Sequence, residues 1–167
     1  SASIQSSVFI SNYAGCCDGG GAVYADGFLS VADSQFVSNS VEERMDGGAI
    51  LARSYLSVDG SQFRANRVVK AASNNSGRGG AIYLDFAQFS SASIVNTEFT
   101  DNRANHGGAI ACQVRCEIEA TRFASNLADE PDGLTFTNIG TGGAVWAAGD
   151  LSVKRARFIR NRAGVAG

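Results

Sequence analysis

Proline, histidine, methionine and tryptophan are almost missing from this 167-residue sequence, which holds one of each. The single histidine, His106, leaves little material for an imidazole-rich metal site or for histidine acid–base chemistry. One proline against 20 glycines excludes a proline-rich linker. With 44% hydrophobic residues the glycines point to many tight corners rather than to disorder. Fourteen basic residues face 16 acidic ones, a net charge of -2. No basic field is present for nucleic acid or an acidic membrane surface, so no nucleic-acid partner is expected. No apolar run approaches the roughly 18 residues of a membrane span, and no membrane-spanning segment is expected in this chain. No catalytic constellation and no cofactor motif stands out.

What is present is repetition. Gly-Gly-Ala-Ile/Val is written five times, at Gly20, Gly47, Gly79, Gly107 and Gly142. Phe-x-x-Asn is written six times, at Phe9/Asn12, Phe36/Asn39, Phe63/Asn66, Phe99/Asn102, Phe123/Asn126 and Phe158/Asn161. Chance would place about one such pair in a chain of this make-up, and a fixed period is read before anything else. The first glycine precedes the next Phe by 16 residues in four repeats (20 to 36, 47 to 63, 107 to 123, 142 to 158) and by 20 in the other. The spacing from Asn to the next glycine pair varies freely. One side of each repeat is therefore constant while one connection grows, as in a solenoid with insertions on one edge.

Within the constant part, apolar residues recur at spacing two. Ile4, Val31, Val58, Ile94, Ile118 and Val153 stand five before each Phe, and Ala2, Leu29, Leu56, Ala92, Cys116 and Leu151 seven before. That period marks a half-buried strand running up to the Phe, not a helix. A second strand starts at the glycine motif, and a short third one is expected after each Asn. A unit of about 27 residues with two or three strands cannot close a core alone, but stacked copies can. The sequence predicts an all-β protein, a right-handed parallel β-helix of about six coils, with handedness taken from the chirality of parallel crossovers. Residues 1–167 read as a single β-helix repeat domain. Because the chain opens and closes inside a repeat, it is expected to be part of a longer one. The Phe column is expected to stack in the core. The Asn column is expected at a turn, bonding backbone or the Asn of the next coil.

Several residues are candidates for a role beyond the scaffold. Cys112 and Cys116 fall on inward columns and flank a short corner, so a local disulfide is one reading and buried free thiols the other. Cys16 and Cys17 lie together in a variable connection and can pair with each other or elsewhere. Disulfides would place the protein in an oxidising, extracellular setting. Tyr24, Leu51, Tyr83, Ala111 and Trp146 follow the Ile/Val of the glycine motif. By alternation they point outward, and Tyr24, Tyr83 and Trp146 are candidate contact residues for a glycan or neighbouring molecule. A displacement by one at the glycine corner would put them in the core instead. The longest insertion, Leu127 to Thr141, carries Asp129, Glu130 and Asp132, which match no EF-hand spacing, and Phe136, a further contact candidate. Asn74-Asn75-Ser76 is an N-glycosylation tripeptide at Asn74. Asp33, Asp59 and Glu119, with Lys154 and Arg155, are the nearest thing to a polysaccharide-cleaving carboxylate set, but solvated strand positions look the same.

The two motifs in phase resemble the polymorphic membrane protein repeats of chlamydiae, over the whole length of the chain. Those proteins are autotransporters whose β-helical passenger domains act as adhesins. The resemblance implies a surface-exposed or secreted β-helix and supplies no catalytic residues. The expectation is a non-enzymatic adhesin or binding scaffold, extracellular or on the cell surface, with protein or glycan partners. The alternative is a building block of a filament, wall or appendage that associates end to end. A polysaccharide lyase or hydrolase is the least supported reading.

Overall fold

The computed structural model describes residues 1–15, 19–42, 45–69, 77–85, 90–129 and 140–164. Their strands stack into four sheets in which every pairing is parallel. The first sheet is made by Ala2–Gln5, Leu29–Ala32, Leu56–Asp59, Ser91–Val95, Arg115–Glu119 and Leu151–Lys154. The second carries the Phe column in Val8–Ile10, Gln35–Val37, Gln62–Arg64, Glu98–Thr100, Arg122–Ala124 and Arg157–Ile159. A third, of two-residue strands after each Asn, runs from Tyr13–Ala14 to Arg162–Ala163. The fourth follows the glycine motif in Val23–Ala25, Ile50–Ala52, Ile82–Leu84, Ile110–Cys112 and Val145–Ala147. Like residues face like across coils, as in Phe63 opposite Phe36 and Phe99, and Ile82 opposite Ile50 and Ile110. This is a parallel β-helix of about six coils.

The coil has four strands where the sequence pattern suggests two or three. The alternating run before each Phe is broken by a corner three residues ahead of it, at Ser6, Asp33, Gly60, Asn96, Ala120 and Arg155, all with φ between 48° and 58°. A second left-handed corner lies two residues after each Phe, at Ser11, Ser38, Ala65, Asp101, Ser125 and Arg160. Single left-handed residues turn the chain sharply enough to start a new sheet.

The main core lies inside the first, second and fourth sheets. The rings of Phe9, Phe36, Phe63, Phe99, Phe123 and Phe158 stack along it with centroids 4.7–5.1 Å apart and planes within 9°, matching the spacing of neighbouring strands. Each Asn Nδ2 donates to the Oδ1 of the next, at 2.8–3.0 Å from Asn12 through Asn161. The Asn column does follow a corner, as expected, but its side chains do not sit at the surface as those of ordinary turn residues do. Asn39, Asn66, Asn102 and Asn126 are buried. Asn126 shows why: its Nδ2 donates to Asn161 at 2.8 Å and to the Phe99 carbonyl at 3.0 Å, and its Oδ1 accepts from Asn102 at 2.9 Å. With every polar atom served from the coils on either side, the amide can leave water. A hydroxyl column lies two residues before the Phe. There Ser34, Ser61, Thr97 and Thr121 are buried and each donates to the carbonyl two residues back. No buried side-chain nitrogen or oxygen among the described residues lacks a hydrogen bond, which is how a core can hold so many polar groups.

The glycine pair solves a packing problem. Gly47 has φ 70°, a left-handed corner that suits glycine. Gly48 is needed for space, because an added Cβ would overlap the carbonyl of Gly80 in the next coil and sit 2.7 Å from the Arg67 nitrogen of the third sheet. Backbone thus packs on backbone at this corner, and Ala49, Ala81 and Ala109 beside it are fully buried.

Candidate functional site

The fourth sheet places the aromatic column on its outer side, as the alternation requires. In Ile50–Ala52 and Ile82–Leu84 the flanking residues enter the main core, while Leu51 and Tyr83 join Ala111 in a separate apolar cluster against Trp146. The column is not displaced by one. It is instead covered, and Tyr83 is only 2% exposed. Tyr83 is therefore not a contact residue, because a second layer closes over it. Tyr24, at the end of the column, is 37% exposed and lies beneath the Arg53 guanidinium, 5.3 Å from its ring centroid. Trp146 is half-buried, 6.0 Å from the ring of His106.

A polar network forms over this face. The Tyr83 hydroxyl accepts from Arg78 Nη1 at 2.6 Å and Gln113 Nε2 at 2.5 Å and donates to Asp85 at 3.2 Å. Arg53 bonds Asp85 at 3.2 Å and Tyr24 at 2.6 Å, and Tyr24 bonds Asp26. Asp46 accepts the Arg78 backbone N–H at 2.8 Å. Burial pushes the Asp46 carboxyl up to about 7, opposed by the Arg78 charge and N–H and assisted by Asp85. Burial likewise pushes Tyr83 up to about 12. The residue just before each glycine pair supplies much of this layer. Asp46, Arg78, His106 and Thr141 share that place, and His106 Nδ1 lies 2.7 Å from Thr141 Oγ1. A polar residue there in four repeats of five is a signal the sequence offered and pattern reading passed over.

Cys112 and Cys116 are both buried, and the structure holds them as thiols with no disulfide between them. A hydrogen bond with Cys116, together with burial, holds the Cys112 thiol well above the usual range. Cys16, Cys17, Asn74 and Phe136 lie outside the described residues. Of the acidic trio, Asp129 is taken by Arg103, whose Nε lies 2.7 Å from it, and Glu130 and Asp132 lie outside the description. The carboxylates of the first sheet have separate partners. Asn96 donates to Asp59 at 3.1 Å, and Glu119 pairs with Arg155. Among the described residues no helix is long and apolar enough to cross a membrane, which says nothing of β-barrels.

The coil holding Phe99, Asn102 and Gly107-Gly108-Ala109-Ile110 decides the comparison with known proteins. Residues 96–113 match the family model of the Chlamydia polymorphic membrane protein repeat. The match runs from the left-handed corner at Asn96 through the Phe and Asn columns to the start of the corner after Cys112. The polymorphic membrane protein repeat is thus most of one turn of this β-helix, entered at the corner before the Phe. No curated protein and no solved structure matched the chain.

Proposed function

We propose that the chain is a non-enzymatic scaffold of the cell surface or extracellular space, a β-helix that acts as an adhesin or binding domain. The observation that carries this reading is the polymorphic membrane protein repeat at 96–113, in phase with three of the four strands of one coil. Proteins with this repeat resemble surface-exposed autotransporters, and a rigid rod is what such a protein presents to its surroundings. The interior supports the same reading, since its Asn side chains bond one another in a ladder and its Ser and Thr hydroxyls bond backbone carbonyls, which leaves the outer face to carry recognition. Its partners are proteins or glycans on a facing surface. The immobilised chain should retain intact cells saturably and compete with its own soluble form. Failure to retain cells, proteins or glycans would sink the proposal. No turnover is expected on a panel of polysaccharides.

A further inference from the structure

On the outer side of the first sheet, one column begins as an aromatic ladder and then loses a rung. Phe28 and Tyr55 stack there, with centroids 5.2 Å apart and planes within 5°. Both are exposed, at 42% and 37%. The next two members of the column are Ser91 and Arg115, set by the register of Leu56 with Ala92 and of Ser91 with Arg115. Phe28 occupies one face of the Tyr55 ring. The opposite face looks along the axis to the coil of Ser91, whose side chain is too small to fill the place of a third ring. Arg115 closes the far side two coils on, roughly 10 Å away by strand spacing.

A cleft of about 240 Å³ occupies that gap, lined by Tyr55, Ser91, Ala92, Ser93, Arg115 and Glu117. Arg115 Nη2 bonds Glu117 at 2.6 Å, so the far wall is a paired donor and acceptor without net charge. We propose that this cleft is a binding site for one neutral pyranose ring of a glycan. An aromatic face accepts the C–H side of a flat, amphipathic ring. Serine hydroxyls on the floor and the guanidinium–carboxylate pair on the wall then serve the hydroxyls around its rim. An apolar guest would leave those groups unserved, and a charged sugar would find no net charge to pair with. The site deepens the adhesin reading and rests on it for its biological use, but its chemistry is tested apart from it.

The test is retention of the intact chain on an array of neutral oligosaccharides ending in hexose or N-acetylhexosamine, followed by calorimetry with the best binder. Wild type should bind saturably. Tyr55→Ala should weaken binding about tenfold by loss of the stacking face. Ser91→Phe, which supplies the missing rung, should abolish it while circular dichroism and the melting temperature hold. Glu117→Gln should weaken it less. No neutral glycan retained by wild type, or equal retention by Ser91→Phe, overturns the site. Preference for peptides bearing an aromatic side chain over every sugar overturns it as well. If Ser91→Phe still adheres to cells while wild type retains no sugar, the site falls and the adhesin reading stands.

Discussion

At the scale of single residues, the asparagine column shows how one side chain can tie three coils. Asn66 Nδ2 donates to the Phe36 carbonyl at 2.9 Å and to Asn102 at 3.0 Å, and its Oδ1 accepts both the backbone N–H and the side chain of Asn39. Asn126 repeats the arrangement between Asn102 and Asn161. Asn66→Ala strands two buried donors of Asn39 and should cost about 2–4 kcal/mol in urea unfolding. Asp46 makes a prediction of opposite character. Its carboxyl is held up to about 7 in the folded chain against an ordinary 3.8. Between those values the unfolded chain has lost the proton that the folded one keeps. Stability should therefore fall as pH rises through that window and level off above it. Arg78 and Asp85 are the charges that face it. Asp46→Asn keeps an oxygen for the Arg78 N–H, so it should flatten this part of the pH profile and raise stability at about pH 8 relative to wild type. Parallel profiles for the two proteins would refute the assignment.

At the scale of elements, corner and strand demand different things, and substitutions should separate them. Gly80→Ala puts a methyl group against the Gly108 carbonyl and 2.8 Å from the Arg103 carbonyl carbon, all of it backbone. Nothing flexible can yield, so the chain should fail to form its fourth-sheet corner and expression of folded protein should collapse. Phe63→Ala opens a cavity between Phe36 and Phe99 but leaves the backbone intact. It should fold with a loss of about 3–5 kcal/mol. A milder effect of Gly80→Ala than of Phe63→Ala would contradict the account. The corners before Phe explain why one sheet boundary was not legible. Of Ser6, Asp33, Gly60, Asn96, Ala120 and Arg155, only Asp33, Gly60 and Asn96 are of types that enter the left-handed region readily. Ser6, Ala120 and Arg155 bear about 1 kcal/mol or more of strain each, offset by coil-to-coil bonds such as Ser6 N–H to Ala32 at 3.1 Å and Ala120 N–H to Lys154 at 3.0 Å. Local propensity carries no trace of a corner that neighbours enforce.

At the scale of the whole molecule, each coil touches its neighbours and little else, so stability should be graded along the axis. Phe63 and Phe99 are fully buried, whereas Phe158 is half-exposed. Amide exchange should be slowest in Gln62–Arg64 and Glu98–Thr100 and fastest in Val8–Ile10 and Arg157–Ile159. Uniform protection along the rod would show a cooperativity that nearest-neighbour stacking does not provide.

The sequence alone determined the parallel stacking, the number of coils, the Phe and Asn columns and the place of the glycine corner. Each of these repeats in phase, and a repeated residue must meet its own copy at strand spacing. The tertiary structure alone decided the rest. It buried the amides of Asn39, Asn66, Asn102 and Asn126, because only the coils on either side can replace the water that a turn residue ordinarily keeps. It closed a second layer over Tyr83, because outward alternation says which way a side chain points and nothing about what covers it. It kept Cys112 and Cys116 as buried thiols. It set the Tyr55 ring across the Ser91 rung from Arg115, a juxtaposition of residues 60 positions apart in a column with no common residue type. Periodicity is visible in a sequence, whereas a gap or a lid exists only once the coils are in contact.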